Sequence, residues 1–294
     1  MTSIEAINIS KNFGPVHALK DVDLEISDGC TVILGPNGSG KTTFMKILTR
    51  MMRPSSGLVK IDGEPLEENF VKSLGMIGSL VEQPEFYTYL TGREIMEFVC
   101  RIRNIPKNSV NDEIKRVSDL CGISSYSNRK SGTYSRGMKQ RLGLAVSMIS
   151  SPDILILDEP TFGLDPRGIV EMRNIIKNYS REEGKIVLLS THMINEAVEL
   201  SNRILILYMG VIRYDSMNGD DKRVIRVTFD EPFYGKIEEP FIQTRSTGNE
   251  ALIEIPSEKK NWELIYSLVR SGARIREVEE NYGIEDVYMN IVSD

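Results

Sequence analysis

Residues 35–43, which read GPNGSGKTT, constrain the fold of this chain more than any other segment. The pattern G-x-x-x-x-G-K-[ST] is that of a phosphate-binding loop, whose glycines let backbone N–H groups approach phosphate oxygens closely. The apolar run at residues 31–34 predicts a buried strand before the loop, and residues 44–48 predict a helix after it. The partial positive charge of a helix N-terminus adds to the attraction for phosphate, so this strand, loop and helix favour a nucleoside triphosphate.

A second motif, ILILDEP at residues 154–160, is an apolar strand that ends in two carboxylates, Asp158 and Glu159. A solvated strand end is the alternative, but a buried strand would fix both carboxylates at the sheet edge where the phosphate loop lies. Lys41 is expected to reach the β- and γ-phosphates, and the Thr42 hydroxyl to ligate magnesium. The two motifs together predict binding of a nucleoside triphosphate with magnesium, and its hydrolysis.

Composition agrees with a globular protein of one large domain and one small one. The chain has 294 residues, of which 40% are hydrophobic and 27% charged. A formal charge of −6 gives no general attraction for nucleic acid or anionic lipid, and no nucleic acid partner is expected. The three scattered cysteines indicate reduced thiols in a cytoplasm, and no apolar stretch is long enough to span a bilayer.

Hydrophobic patterning predicts an α/β fold for residues 1–214. Apolar runs without alternation indicate central strands of a parallel sheet, whereas alternating runs indicate strands with one solvated face. Residues 84–150 carry helical periodicity instead and are predicted to be a helical subdomain. The central strands are expected at residues 154–157, 186–189 and 204–208, the alternating strands at 4–9 and 22–26, and crossover helices at 169–182 and 195–201.

A change of character near residue 215 predicts a separate α+β accessory module at residues 215–294. The sequence NGDD at residues 218–221 indicates a turn or linker before it. Strands are expected at residues 224–229, 252–255 and 274–278, and helices at 258–271 and 284–291. The expected core of the module consists of Val227, Ile253, Leu264, Leu268 and Ile275.

Four further segments occur in chain order: FG at residues 13–14, YSRGMKQR at 134–141, GLDP at 163–166 and STH at 190–192. With the first two motifs, they resemble the ATP-binding cassette (ABC) family of transport ATPases, collinearly over residues 3–213. The resemblance implies a P-loop ATPase domain that combines a mixed, mostly parallel sheet with an antiparallel β-subdomain and a helical subdomain.

The resemblance implies roles for the residues that match the family's motifs. Asp158 matches the aspartate that holds Mg²⁺ together with Thr42, and Glu159 the catalytic carboxylate that polarises the attacking water. His192 matches the switch histidine at the γ-phosphate, although a strand-end histidine without function is the alternative. The residues implied to bind ATP at the loop are Gly35, Pro36, Asn37, Gly38, Ser39, Gly40, Lys41, Thr42 and Thr43.

Other implied contacts lie outside the phosphate loop. Phe13 matches the aromatic that stacks on adenine. Ser135 and Gly137 match the signature segment, which caps the γ-phosphate of ATP bound to the other subunit, and Asp165 matches a loop that joins the two sites. Here Arg136 stands where the family has glycine. We expect the capping to survive in a changed environment.

The glutamine that contacts Mg²⁺ in the family has two candidates in this chain. Matching without gaps puts Glu82 at that position and Gln83 one residue later, and either side chain supplies an oxygen. The surrounding residues 77–82, 86–87 and 90–92 are similar to one branch of the family, the ATPase subunits of bacitracin- and lantibiotic-type drug exporters.

One chain contains one phosphate loop and one signature segment, so the resemblance implies a head-to-tail dimer with the same chain or a close paralogue. It also implies transmembrane permease partners and a place on the cytoplasmic, inner face of the cell membrane. The alternatives are a soluble ABC ATPase acting on nucleic acid or ribosomes, and an importer ATPase. GTP is disfavoured because the chain has no N-K-x-D motif.

Overall fold

A computed structural model describes residues 2–217, 223–235, 237, 239–256, 259–280 and 282–293. The turn predicted at residues 218–221 lies outside the described residues. Internal contacts divide the chain into two compact units, Met1–Arg213 and Tyr214–Asp294. The strands are β1 (Ile4–Phe13), β2 (Val16–Ile26), β3 (Gly29–Leu34), β4 (Ser56–Ile61), β5 (Glu64–Pro65), β6 (Ile77–Leu80), β7 (Ile154–Asp158), β8 (Ile186–Thr191), β9 (Arg203–Tyr208), β10 (Val211–Asp215), β11 (Arg223–Phe229), β12 (Ile242–Ser246), β13 (Glu250–Ile255) and β14 (Ile275–Glu280).

The helices occur where apolar residues recur at helical spacing and end mostly at short turns. Within the described residues, no helix is both long and apolar enough to cross a membrane. The helices are α1 (Lys41–Leu48), α2 (Phe70–Met76), α3 (Gly92–Ile102), α4 (Val110–Leu120), α5 (Arg136–Ser147), α6 (Pro166–Ser180), α7 (Ile194–Leu200), α8 (Asn261–Arg270) and α9 (Tyr282–Ser293).

The large sheet of the first unit has the strand order β10-β9-β3-β8-β7-β6. Pairing is parallel between β6 and β7, β7 and β8, β8 and β3, and β3 and β9. Every residue of β7 and β8 is buried, which explains their uninterrupted apolar runs. The register pairs Leu34 with Thr191 and Asp158 with Ser190, so the carboxyl ends of β3, β8 and β7 meet at one edge. The predicted mixed, mostly parallel fold is confirmed.

A second, antiparallel sheet in the same unit has the order β2-β1-β4-β5. Ile4 and Ala6 of β1 are buried in alternation, as the sequence predicts, and Ile9 is buried after a register shift that interrupts the alternation. They share one apolar core with the central sheet and with Phe44 and Met45 of α1. The phosphate loop therefore begins and ends in packed structure.

A helical region built from α3, α4 and α5 lies between β6 and β7 in the sequence. Thr91 and Glu94 form a capping box at the start of α3, and hydrogen bonds from the Thr91 backbone and hydroxyl lower the pKa of Glu94. Met96 and Cys100 on α3 are buried, whereas Phe98 is exposed. The helix predicted here is present, but one side of it carries apolar residues that face solvent.

All three cysteines of the chain are free and buried. Burial raises the pKa of Cys30 and of Cys121 to about 12 in each case, because the apolar surroundings disfavour the thiolate. These thiols therefore act as small apolar side chains of the core.

The second unit is an antiparallel sheet of order β12-β13-β11-β14 with α8 and α9. Val227, Ile253, Leu264 and Leu268 are buried in its core, and the partly buried Ile275 packs against it. The sequence did not predict β12, whose pairing with β13 contains a register shift between Gln243 and Arg245. The α8 helix begins at Asn261, later than the predicted residue 258.

A chain that ends at Asp215, after β10, is predicted to bind ATP with the affinity of the full chain. The phosphate loop and both carboxylates of the predicted site lie in the first unit. Equilibrium titration with a fluorescent ATP analogue and Mg²⁺ would measure the affinity. A folded truncated chain without nucleotide affinity would show that the second unit completes the site.

Candidate nucleotide-binding site

The phosphate loop, which joins β3 to α1, has no room for a side chain at two of its glycines. At Gly40, where φ is 111°, a Cβ atom would lie 2.5 Å from the Ala18 carbonyl oxygen. At Gly35 it would lie 2.3 Å from the Leu207 carbonyl oxygen. A side chain at either position would thus push the loop off the strands beneath it. The nine loop residues singled out from the sequence, from Gly35 to Thr43, make up this turn and the first residues of α1.

Lys41 is held inside the loop by partners that a phosphate group can replace. Its Nζ donates to the carbonyl oxygens of Gly35 at 2.8 Å and Pro36 at 3.1 Å, and lies 3.7 Å from Glu159 Oε1. Burial lowers the pKa of Lys41, while the nearby charges of Glu159 and Asp158 act in the opposite direction. An anionic ligand at the loop would add to the second effect and stabilise the ammonium form.

The Thr42 hydroxyl and the Asp158 carboxylate meet at the joined strand ends. Thr42 Oγ1 donates to Asp158 Oδ2 at 2.7 Å, and Ser190 Oγ donates to Asp158 Oδ1 at 2.5 Å. Hydroxyl and carboxylate oxygens are the ligands that Mg²⁺ prefers, and Mg²⁺ is usually held by one or two protein carboxylates together with phosphates and water. The donor set therefore fits a magnesium ion brought in with a nucleotide.

A cavity of about 240 Å³ opens beside these two oxygens. Both candidates for the family's glutamine position, Glu82 and Gln83, line it, so the structure brings each to the site. Glu82 has a left-handed backbone, with φ of 68°, and its carboxylate pairs with Lys46 of α1. The lining residues are Thr42, Glu82, Gln83, Gln140, Asp158, Glu159 and Phe162.

Glu159 and His192 form a pair at the same edge. His192 Nδ1 lies 3.1 Å from Glu159 Oε2. The Glu159 backbone is left-handed, with φ of 45°, and its N–H group donates to the carbonyl and hydroxyl oxygens of Ser190, each at 3.1 Å. A non-glycine residue in this conformation is strained and often marks a functional position. Glu159 is also one of the residues that line the cavity.

Of the predicted site residues outside the phosphate loop, five do not line this cavity. His192 still contacts the lining residue Glu159, whereas the other four are Phe13, Ser135, Gly137 and Asp165. Phe13 is half exposed at the end of β1, with Lys11 Nζ 5.3 Å from its ring centroid. Ser135 and Asp165 cap α5 and α6, accepting from the N–H groups of Met138 at 3.3 Å and Gly168 at 3.1 Å. A capping role alone accounts for these two residue types, so their roles toward nucleotide stay predictions.

Glu196 is a residue that the sequence reasoning missed. It is 0% exposed, and it accepts from Thr161 Oγ1 at 2.7 Å and Thr191 Oγ1 at 2.5 Å, with Arg173 Nε at 3.7 Å. Thr161 follows Glu159 by two residues and Thr191 precedes His192, so one carboxylate ties both segments together. The available signal was an acidic residue at core spacing with Ala197 and Leu200, which are also buried on α7.

The loop, the adjacent oxygens of Thr42 and Asp158 and the Glu159–His192 pair are the features expected of a P-loop nucleotide-binding protein. A family profile for ABC transporters matches residues 19–162. The uncharacterized ABC transporter ATP-binding protein YdbJ of Bacillus subtilis is 35% identical over 256 residues, which cover 85% of this chain and 82% of that protein. The chain belongs to the ATP-binding proteins of the ABC transporter family, which bind ATP and use Mg²⁺ in its hydrolysis.

Relatives with more specific names cover most of the chain as well. The bacitracin transport ATP-binding protein BcrA of Enterococcus faecalis is 30% identical over 98% of this chain and 96% of its own length. The lantibiotic transport ATP-binding protein SrtF of Streptococcus pyogenes is 36% identical over 70% of this chain and 86% of its own length. The predicted similarity to this branch is confirmed.

Solved structures agree with the fold. The dimeric ATP-binding cassette MJ0796, in a post-hydrolysis state with ADP and Pi, has a TM-score of 0.67 at 26% identity. The match covers 72% of this chain and 97% of that one.

Replacing Glu196 by alanine is predicted to lower the free energy of unfolding by about 3 kcal/mol, because buried hydroxyl groups and Arg173 lose their shared acceptor. Urea unfolding followed by circular dichroism would measure the loss. The matched control is Glu199→Ala on the same helix, which removes a half-exposed partner 2.6 Å from Arg173 Nη1. Equal losses of unfolding free energy in the two variants would contradict the role of Glu196 in tying the two segments together.

Proposed function

We propose that this chain is the ATP-hydrolysing subunit of an ABC exporter of drugs, antibiotics or peptides. The observation that carries the proposal is the sheet edge at which Lys41, Thr42, Asp158, Glu159 and His192 come together. These side chains supply a cation for phosphate, two oxygens for a metal ion, and a carboxylate–imidazole pair for the attacking water, which are recurring parts of phosphoryl-transfer sites.

Each residue has a part that its contacts support. Lys41 exchanges the carbonyl oxygens of Gly35 and Pro36 for the β- and γ-phosphates. Thr42 and Asp158 would hold Mg²⁺, which when bound neutralises charge on the phosphate oxygens. Glu159 accepts a hydrogen bond from the attacking water and polarises it. His192, with Nδ1 3.1 Å from Glu159 Oε2, orients the Glu159 carboxylate and would contact the γ-phosphate, as the resemblance implies.

The site is completed by a second ATPase subunit, either the same chain or a close paralogue. Ser135 and Gly137 lie outside the cavity of their own chain, and Ser135 is exposed at the start of α5. In a twofold dimer they are available to the γ-phosphate in the partner, as the resemblance implies, and Asp165 is available to the junction of the two sites. The adenine base stacks on the exposed Phe13 ring.

The exported substrate crosses through separate permease subunits, and this chain sits on the cytoplasmic face of the membrane with them. The names of BcrA and SrtF support the export of antibiotics and peptides. Exposed apolar side chains on α3 and in the segment just before it support a permease contact. The rings of Tyr87 and Tyr89 pair at 5.7 Å and are exposed, and Phe98 and Ile102 of α3 are exposed as well. The module after residue 214 is an accessory to this machinery.

The substitution Glu159→Gln is expected to leave ATP binding intact and to slow hydrolysis about 10²- to 10⁴-fold, the scale of a lost general base. Phosphate release would measure hydrolysis, and size-exclusion chromatography with ATP would detect accumulated dimers. The control is Glu183→Gln, an exposed carboxylate after α6 that should hydrolyse ATP normally. Turnover near that of the unmodified chain would mean that another group orients the water.

Composite sites predict complementation between two inactive variants. Ser135→Arg disables the signature segment of one chain, and Lys41→Ala disables the phosphate loop of the other. In a mixed dimer, the intact phosphate loop of the first chain and the intact signature segment of the second form one complete site. The mixture should regain ATPase activity that neither variant has alone, measured by phosphate release at a fixed total concentration. Absence of any gain, with mixed dimers demonstrated by differential tagging, would contradict the shared site.

A further inference from the structure

Arg136, which stands where the family has glycine, lies against the segment that follows the catalytic carboxylate of its own chain. Its Cζ is 4.6 Å from the centroid of the Phe162 ring. The neighbouring Gly163 has φ of 78°, and a Cβ atom there would lie 2.5 Å from Arg136 Cζ. The guanidinium therefore occupies space that a side chain at residue 163 would fill, and it makes a cation–π contact with Phe162.

Phe162 connects this contact to the catalytic pair. Its ring meets the His192 imidazole edge to face, with centroids 6.0 Å apart and planes at 73°. His192 in turn lies 3.1 Å from Glu159. Phe162 is half exposed, and its ring lies between the guanidinium of Arg136 and the imidazole of His192 in this chain of contacts.

We propose that Arg136 is a positioning residue that acts within its own chain, through Phe162, on His192 and Glu159. The inference rests on the proposed function and deepens it. The signature segment, which serves the ATP of the partner, is then mechanically tied to the catalytic pair of its own chain. Movement of the start of α5 would change how firmly His192 is held.

Histidine resonances test this link without nucleotide. The chain has two histidines, His17 and His192, so ¹³C-labelled imidazole signals are readily assigned with a His17→Gln variant. Arg136→Gln should shift the His192 signals, because the Phe162 ring current at His192 changes, and should leave those of His17 in place. The control Arg181→Gln, an exposed arginine after α6, should shift neither. Unmoved His192 signals in Arg136→Gln would overturn the proposal.

Turnover in mixed dimers tests where Arg136 acts. A limiting chain with an intact phosphate loop is mixed with excess Lys41→Ala chains, which supply only the signature half of the one competent site. Arg136→Gln in the limiting chain should lower kcat about 2- to 5-fold with KM for ATP unchanged, the scale of an exposed cation–π contact. The same substitution in the excess chain should leave kcat unchanged.

Each other outcome of the two arms overturns the assignment. A lower kcat with the substitution in the excess chain, either alone or equal to the loss in the limiting chain, would show that Arg136 acts on the nucleotide of the partner. An unchanged kcat in both arms would show that Arg136 has no positioning role. Arg136→Lys, which keeps a cation, should lose less than Arg136→Gln. Phe162→Leu combined with Arg136→Gln should lose no more than Phe162→Leu alone, whereas additive losses would break the proposed chain of contacts.

The same assay separates failure of this inference from failure of the proposed function. Excess chains that carry both Lys41→Ala and Ser135→Arg should abolish activity, because no complete site remains. Persistent activity there would refute the shared site, and the histidine resonances would still decide whether Arg136 holds Phe162 against His192.

Discussion

The parallel pairing of β3, β8 and β7 is the constraint on which the rest of the site depends. It sets Leu34 opposite Thr191 and Asp158 opposite Ser190, so three strands deliver their last residues to one line. Backbone hydrogen bonds between the buried strands hold that register. A slip of one residue would turn each buried side chain to the opposite face of the sheet. The hydroxyls of Thr42 and Ser190 then reach Asp158 without any long or flexible arm.

Buried charge at this edge is balanced locally. Lys41 is 5% exposed and has Glu159 nearby, whereas Glu196 is fully buried and satisfied by two threonine hydroxyls with Arg173 close by. An unpaired charge in either place would cost several kcal/mol. The two arrangements differ in purpose. The Lys41 partners include two carbonyl oxygens that a phosphate group can replace, which suits a ligand site, while the Glu196 partners are internal side chains that hold two loops in place.

Much of the fold was predictable because buried strands and glycine-rich loops leave direct marks on sequence. The apolar runs of β7 and β8, residues 154–157 and 186–189, have no polar interruption. The glycine-rich pattern before α1 predicts a strand, a phosphate-binding loop and a helix in that order. Strand β12 was missed because its sequence, IQTRS, is mostly polar. Glu196 was missed because a single acidic residue on a short helix looks like a solvated one. The sequence did not separate Glu82 from Gln83 because the two residues are adjacent and both carry a side-chain oxygen, and both line the cavity.

The backbone of Glu159 has a consequence for how this chain tolerates change. A glutamate at φ of 45° costs on the order of 1 kcal/mol relative to glycine, which adopts that conformation freely. Glycine at position 159 would release that strain, but it would also leave the buried ammonium of Lys41 without its nearby carboxylate, which costs more than the strain. The electrostatics of the site therefore keep a glutamate in a backbone conformation that glutamate by itself avoids.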